Sequence, residues 1–206
     1  MAFDFKTACP ALYRPGHTPE LLAVPPLRFL SVQGEGDPNQ PDGAYQKALA
    51  QLYTVAYTLK HSRPDQTPGY FDFVVPPLES LWRQDGTPDP QRKQGFCWQA
   101  LLRLPDFVTE QVFARAIDTA ARKKGKDVSA VTLFSWEEGL CVQALHLGPY
   151  EQEAETCRQM VSYAQEKGCA LDLSPTRRHH EIYLSDPRRC LPHRRKTILR
   201  LPVRPL

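Results

Sequence analysis

Two nearly identical five-residue strings, Leu101-Leu102-Arg103-Leu104-Pro105 and Ile198-Leu199-Arg200-Leu201-Pro202, stand one in each half of the chain. Each closes a longer pattern. Residues 27–33 read as a strand, 43–60 as a helix, and 78–83 and 96–104 as strands. Residues 140–147, 151–167, 180–184 and 197–203 repeat that β-α-β-β order. The first helix shows its apolar face in Tyr45, Leu49, Leu52, Tyr53, Ala56 and Leu59, spaced by three and four. A helix over 110–124 is capped by Thr109 and ended by Gly125, and the helix over 151–167 stops at Gly168. Further strands are expected at 70–75 and 131–136, the latter joined to 140–147 by a turn at Glu137-Glu138-Gly139. A duplicated unit packs about an approximate two-fold axis. It leaves a cleft between its copies, where ligands commonly bind.

Proline sharpens this picture. Twenty of the 206 residues are proline, about twice the usual share. Proline breaks helices and central strands, which excludes a long bundle or coiled coil. The expected fold class is therefore α+β: a tandem β-α-β-β repeat with antiparallel sheets, helices packed on one side and a central ligand cleft. Residues 1–25 hold four prolines and little periodicity, so they read as an irregular arm. A single domain then covers 26–206, with halves at 26–125 and 131–206.

Charge and cysteine place the chain further. The net charge is +3, but residues 177–206 carry nine Lys/Arg against Glu181 and Asp186, leaving the rest net acidic. That is not the uniform basic surface of a nucleic-acid binder, and no such partner is expected. The cysteines at 9, 97, 141, 157, 169 and 190 form no C-x-x-C pair and complete no metal pattern with histidine. No metal or cofactor is expected. The first ten residues hold Asp4 and Lys6 and no apolar signal region, and no apolar run approaches a membrane span. A cytoplasmic protein with reduced thiols follows as the expectation.

Strand alternation singles out an acid. In His180-Glu181-Ile182-Tyr183-Leu184, Glu181 and Tyr183 share the face opposite His180, Ile182 and Leu184. Overlaying the halves sets Pro77-Leu78-Glu79-Ser80-Leu81-Trp82 against this segment, with Glu79 as the matching acid. The double proline at 76 and 77 leaves the facing of Glu79 open.

Four strings carry a resemblance: PPLESLW from Pro76, FCWQALLRLPDFVT from Phe96, EEGLCVQALHLGPYEQE from Glu137 and HHEIYLSDPRR from His179. Together they resemble the GyrI-like small-molecule-binding family, over about residues 20–204, and most of all its stand-alone bacterial branch. The resemblance implies two SH2-like β-α-β-β units around a pseudo-two-fold cleft. Relatives in multidrug-sensing activators bind flat, often cationic aromatic compounds there, above a glutamate. This chain shows no DNA-binding segment ahead of the domain, so the regulator role is not carried over. Some stand-alone members are hydrolases that open the strained cyclopropane of DNA-alkylating natural products and so detoxify them.

That chemistry needs water delivered to one carbon and negative charge accepted at a distant carbonyl oxygen. A carboxylate in an apolar pocket suits the first task. A tyrosine hydroxyl or protonated carboxyl suits the second. The expected catalytic residues are Glu181, Glu79 and Tyr183; the sequence leaves open which glutamate is the base, and the clearer strand facing favours Glu181. Trp82, Trp98, Tyr150 and His146 are expected to bind the ligand. Each has a plainer reading: Glu181 paired with Arg188 or Arg189, Glu79 paired with Arg83 or capping the strand end, Tyr183 on the sheet surface, the tryptophans in the core, Tyr150 stapling the helix start, His146 structural. The expected function is hydrolysis of a flat, strained aromatic electrophile. The alternative is binding or sequestration of planar compounds without turnover. Binding to gyrase, suggested by the family name alone, is not expected.

Overall fold

The computed structural model describes residues 2–62, 65, 67–84 and 96–206. The Asp85-Gly86 dipeptide reads as a turn and Pro64 as part of a loop, and both lie outside the described residues. Seven strands are present among them: β1 Glu20–Glu35, β2 Leu78–Gln84, β3 Phe96–Arg103, β4 Thr132–Leu147, β5 Cys169–Leu171, β6 His179–Tyr183 and β7 Lys196–Pro205. The helices are α1 Phe5–Ala8, α2 Pro10–Tyr13, α3 Ala44–Lys60, α4 Glu110–Lys124 and α5 Glu153–Glu166. None is long and apolar enough to cross a membrane.

All strand pairings are antiparallel, in the order β4-β1-β3-β2-β6-β7-β5. Because β4 also pairs with β7, six strands close a circuit and β5 hangs outside on β7. Exchanging β1 with β4, β2 with β6 and β3 with β7 leaves that circuit unchanged, which is the symmetry the sequence repeat implies. The two-fold passes through the β2–β6 seam, where Glu79 lies directly opposite Ile182.

The two faces of this sheet are packed differently. On the outer face, α3 and α4 cover one apolar core that includes Leu30, Leu52, Leu59, Trp98 and Leu102. Met160 and Ala164 of α5 cover a second with Val142, Leu199 and Leu201. On the inner face, the N-terminal helices bring Phe5, Leu12 and Tyr13 against Val24, Ile182 and Ile198. Alternation makes this division automatic, since Ile198 and Leu199 are chain neighbours and must face opposite ways.

Three expectations change. β1 begins at Glu20, so the chain is strand well before residue 27; it passes Pro25 and Pro26 because the ladder to β4 skips Pro25. The turn expected at 137–139 is no reversal. Gly139 adopts a positive φ of 70° and bends a continuous β4, while β1 pairs across the bend from Ala23 to Leu27. Residues 70–75 form only an isolated bridge, Phe3 to Phe73; their rings pack on Phe107 and find no sheet partner.

Gly34 is required by a neighbour. A Cβ there would collide with the six-membered ring of Trp98, its partner across β1 and β3. Gly34→Ala should therefore cost about 1–3 kcal/mol through overpacking. The melting temperature of that variant against wild type measures it, and an unchanged melt would contradict the close packing.

Candidate functional site

At the seam, β2 and β6 present side chains outward between α3 and α5. Ser80 stands opposite Glu181, and Leu78 opposite Tyr183, so these four share one face. Thr197 of β7 stands opposite Tyr183 on that same face. Glu181 is the centre of a short relay. Trp82 Nε1 donates to Tyr183 Oη at 3.0 Å, and Tyr183 Oη donates to Glu181 Oε2 at 2.7 Å.

Rings enclose the acid. Tyr45 of α3 tilts against Trp82 with centroids 5.6 Å apart and bonds Ser80 Oγ at 2.8 Å. Tyr150, in the short 3₁₀ turn ahead of α5, meets Tyr183 edge-on at 5.9 Å, and the Arg195 guanidinium lies 5.0 Å from the Tyr150 centroid. His179 Nε2 lies 4.0 Å from Glu181 Oε1. Burial and the charge on His180 push His179 down to about 4, so it is neutral here. The Glu181 side chain keeps 14% of its surface exposed, enough to be reached but mostly desolvated. Burial pushes its carboxyl up, against the opposing pull of the Tyr183 hydrogen bond and the His180 charge.

A second carboxyl belongs to this cluster. Glu153, at the start of α5, is 8% exposed. Burial raises it strongly, and the charge on Glu181 adds to the rise. Glu153, Met160 and Ala164 lie on one helical stripe and are the buried residues of α5. An acid on an apolar stripe is a signal the sequence offered and composition hid.

The inner face of the same seam holds a different assembly. Tyr13 Oη donates to Glu79 Oε1 at 2.8 Å, and Glu79 Oε2 pairs with His180 Nε2 at 3.0 Å. His180 Nδ1 meets both oxygens of Glu138 at 3.1 Å. Arg200 bonds Glu138 Oε2 at 3.2 Å and Gln143 Oε1 at 2.9 Å, and also donates to the Leu12 carbonyl. Gln143 Nε2 donates to the Ala11 carbonyl at 2.7 Å. Buried charges are tolerable only when paired and hydrogen-bonded in this way. The N-terminal arm is thus tied into the sheet by its own backbone.

The sequence-predicted residues divide accordingly. Glu181, Tyr183, Trp82 and Tyr150 come together. Glu79 does not join them: it faces inward, held by Tyr13 and His180. The overlay of halves was one residue out of register. Leu101 stands opposite Glu79, and its counterpart Ile198 stands opposite Ile182, so Glu79 corresponds to Ile182. One residue along a strand is the difference between two faces. Trp98 is 2% exposed and packs as core behind Tyr45. His146 borders an open hollow of about 630 Å³ with His17, Leu145 and Gln159. Its ring nitrogens are engaged, Nδ1 with Thr156 Oγ1 at 2.9 Å and Nε2 with the Pro149 carbonyl at 3.2 Å.

The basic run near the C-terminus is absorbed by the fold only in part, since Arg188, Arg189, Arg194, Lys196 and Arg204 are exposed. Arg177 pairs with Asp172 and bonds the Glu138 and Leu140 carbonyls, Arg178 donates to Gln99, Arg188 pairs with Asp186, and Arg200 is buried.

A family model described as the GyrI-like small molecule binding domain matches residues 17–204. Comparison with curated proteins finds no match. Among solved structures, the chain is similar to an uncharacterized conserved protein from Listeria innocua, at 45% identity and a TM-score of 0.91, over 98% of this chain and 100% of that one. It is similar to a hydrolase from Listeria innocua at 44% identity and a TM-score of 0.90, over 99% of this chain and 100% of the other. The EcmrR C-terminal domain shares 11% identity at a TM-score of 0.55, over 91% of this chain and 98% of that domain, which shows the fold alone.

Proposed function

Because the chain belongs to the GyrI-like small-molecule-binding domain family, we propose that its β2–β6 seam takes up a flat aromatic electrophile and adds water to it. One observation carries this reading: Glu181 is mostly desolvated, raised toward neutrality, oriented by the Trp82–Tyr183 relay and ringed by Tyr45, Trp82 and Tyr150. A carboxylate so raised is a better base than one in water. The similarity to a protein described as a hydrolase supports turnover over binding alone.

The substrate class is a cyclopropane conjugated to a dienone, as in DNA-alkylating natural products. Glu181 takes a proton from water as the water oxygen bonds to the ring methylene. The carbon–carbon bond breaks, and its electron pair passes through the dienone to the carbonyl oxygen. That oxygen takes a proton from solvent and becomes a phenol, and Glu181 releases its proton to solvent, so the net change is addition of one water. Tyr183 stays protonated, since burial and the Glu181 charge hold it well above its ordinary value. Its proton points at Glu181, so it orients the base and does not serve the distant oxyanion. Glu79 takes no part.

The test is incubation of the protein with a duocarmycin-type cyclopropane compound, followed by mass spectrometry. A product heavier by one water is expected. A compound that is bound but returned unchanged would establish the alternative, a module that sequesters planar molecules.

A further inference from the structure

Two buried polar groups at the seam have no role in that reaction. Thr197 is 1% exposed and Glu153 is 8% exposed. Neither Thr197 Oγ1 nor Glu153 Oε1 reaches a partner at full hydrogen-bond geometry; the two lie close enough to each other that the Thr197 hydroxyl pulls the Glu153 carboxyl down against the effect of burial. Buried polar atoms that fall short of full hydrogen-bond geometry call for an explanation, and a catalytic role is one. Thr197 lies opposite Tyr183, whose hydroxyl is bonded to Glu181, and Glu153 lies within reach of both the Thr197 hydroxyl and the Glu181 charge. Glu153 approaches from α5 on the same face.

We propose that Glu153 is a proton donor beside the base Glu181, and that the seam therefore also opens aryl epoxides by adding water. The inference rests on the reading of Glu181 as base. Its substrate class comes from distance. In a cyclopropane-dienone the departing electron pair ends on an oxygen several bonds from the attacked carbon, beyond an acid that adjoins the base. In an epoxide the departing oxygen is bonded to the attacked carbon, where such an acid reaches it. Glu181 takes a proton from water, the water oxygen bonds to the ring carbon, and the carbon–oxygen bond breaks. The alkoxide takes the Glu153 proton. Glu181 then releases its proton to solvent and Glu153 regains one, so epoxide plus water gives a diol. A neutral carboxyl next to an ionised one divides acid and base duties between them. Burial and the Glu181 charge both favour the neutral form of Glu153.

The probe is 2-(2-naphthyl)oxirane in ¹⁸O-enriched water, with the cyclopropane-dienone compound run in parallel. Wild type should yield the diol with one ¹⁸O in a single turnover. Glu153→Gln should slow epoxide opening by at least about 100-fold, and the ratio of epoxide to cyclopropane rates, each taken on its own pH plateau, should fall at least about 20-fold. It replaces a neutral group by a neutral isostere, so folding should survive, and its melt checks this. Glu153→Asp keeps the acid but withdraws it by one methylene, and should lower the same ratio. Wild type that opens the cyclopropane and leaves the epoxide unchanged overturns the inference, as do variants that slow both substrates equally. Wild type that opens neither overturns the hydrolytic reading itself.

Discussion

Glu181→Gln is expected to slow water addition by about 10²- to 10⁴-fold while changing affinity for the flat compound by less than about threefold. Glutamine has the shape of glutamate and still accepts the Tyr183 hydrogen bond through its carbonyl oxygen, so the aromatic enclosure should hold. What it loses is the carboxylate's charge and basicity, without which it cannot remove a proton from water. The pH profile should agree. A base works only when deprotonated, so the wild-type rate should fall as pH drops, with a limb above the ordinary carboxylate range because burial raises Glu181. His179, Tyr183 and Trp82 face the same carboxyl, but His179 is already neutral and Tyr183 stays protonated, so neither supplies that limb. Glu153 shares it, and the two carboxyls titrate as a pair. A Glu181→Gln protein that retains full turnover would remove the base from the mechanism.

Glu138→Gln is expected to destabilise the fold by about 3–5 kcal/mol, the usual penalty for breaking a buried ion pair from one side. The Glu138 side chain is 2% exposed and bonds both His180 and Arg200. Glutamine keeps the size and removes the charge, leaving two buried cations with Glu79 alone. Against a typical total stability of about 5–15 kcal/mol, that is a large share. Urea unfolding of the two proteins near pH 6 measures it, and a difference under about 1 kcal/mol would refute the role given to the network.

The same network sets a pH window. Burial works to raise Glu138, but His180 and Arg200 outweigh it and pull the carboxyl down to about 2. Its stabilisation is present above the ordinary value of 4.5 and is lost as pH falls toward 2. Burial works to lower His180, but Glu138 and Glu79 outweigh it and raise the imidazole to about 9. That contribution is complete below 6.5 and is lost as pH rises through 9. The network therefore stabilises most between these limits, and Glu138→Gln should flatten the acid side of the wild-type curve.

Much of the outer site was legible from alternation and repeat. His180-Glu181-Ile182-Tyr183 placed Glu181 and Tyr183 together on one face, as the β6 register has them. Glu79 was misread because two strands of similar wording were aligned by their acids, and strand pairing alone fixes the register. Glu153 carried a signal in its helical stripe, but its helix had to be docked on the sheet before burial and Glu181 could act on it. Glu138 carried none. Beside a glycine it reads as a turn, and only the β1 register, held on either side of it by Val24–Gly139 and Pro26–Glu137, keeps it within a strand.

The sequence by itself determined the repeated β-α-β-β order, the α+β class and the facing of Glu181, because these depend on periodicity within single segments. Tertiary structure decided which acids share a face, that the N-terminal arm is bonded to buried charges, and that Arg200 is buried rather than part of a solvated basic surface. Those outcomes depend on register between distant strands. A shift of one residue there exchanges the inside of the sheet for the outside, and with it the solvation and charge of every group that could do chemistry.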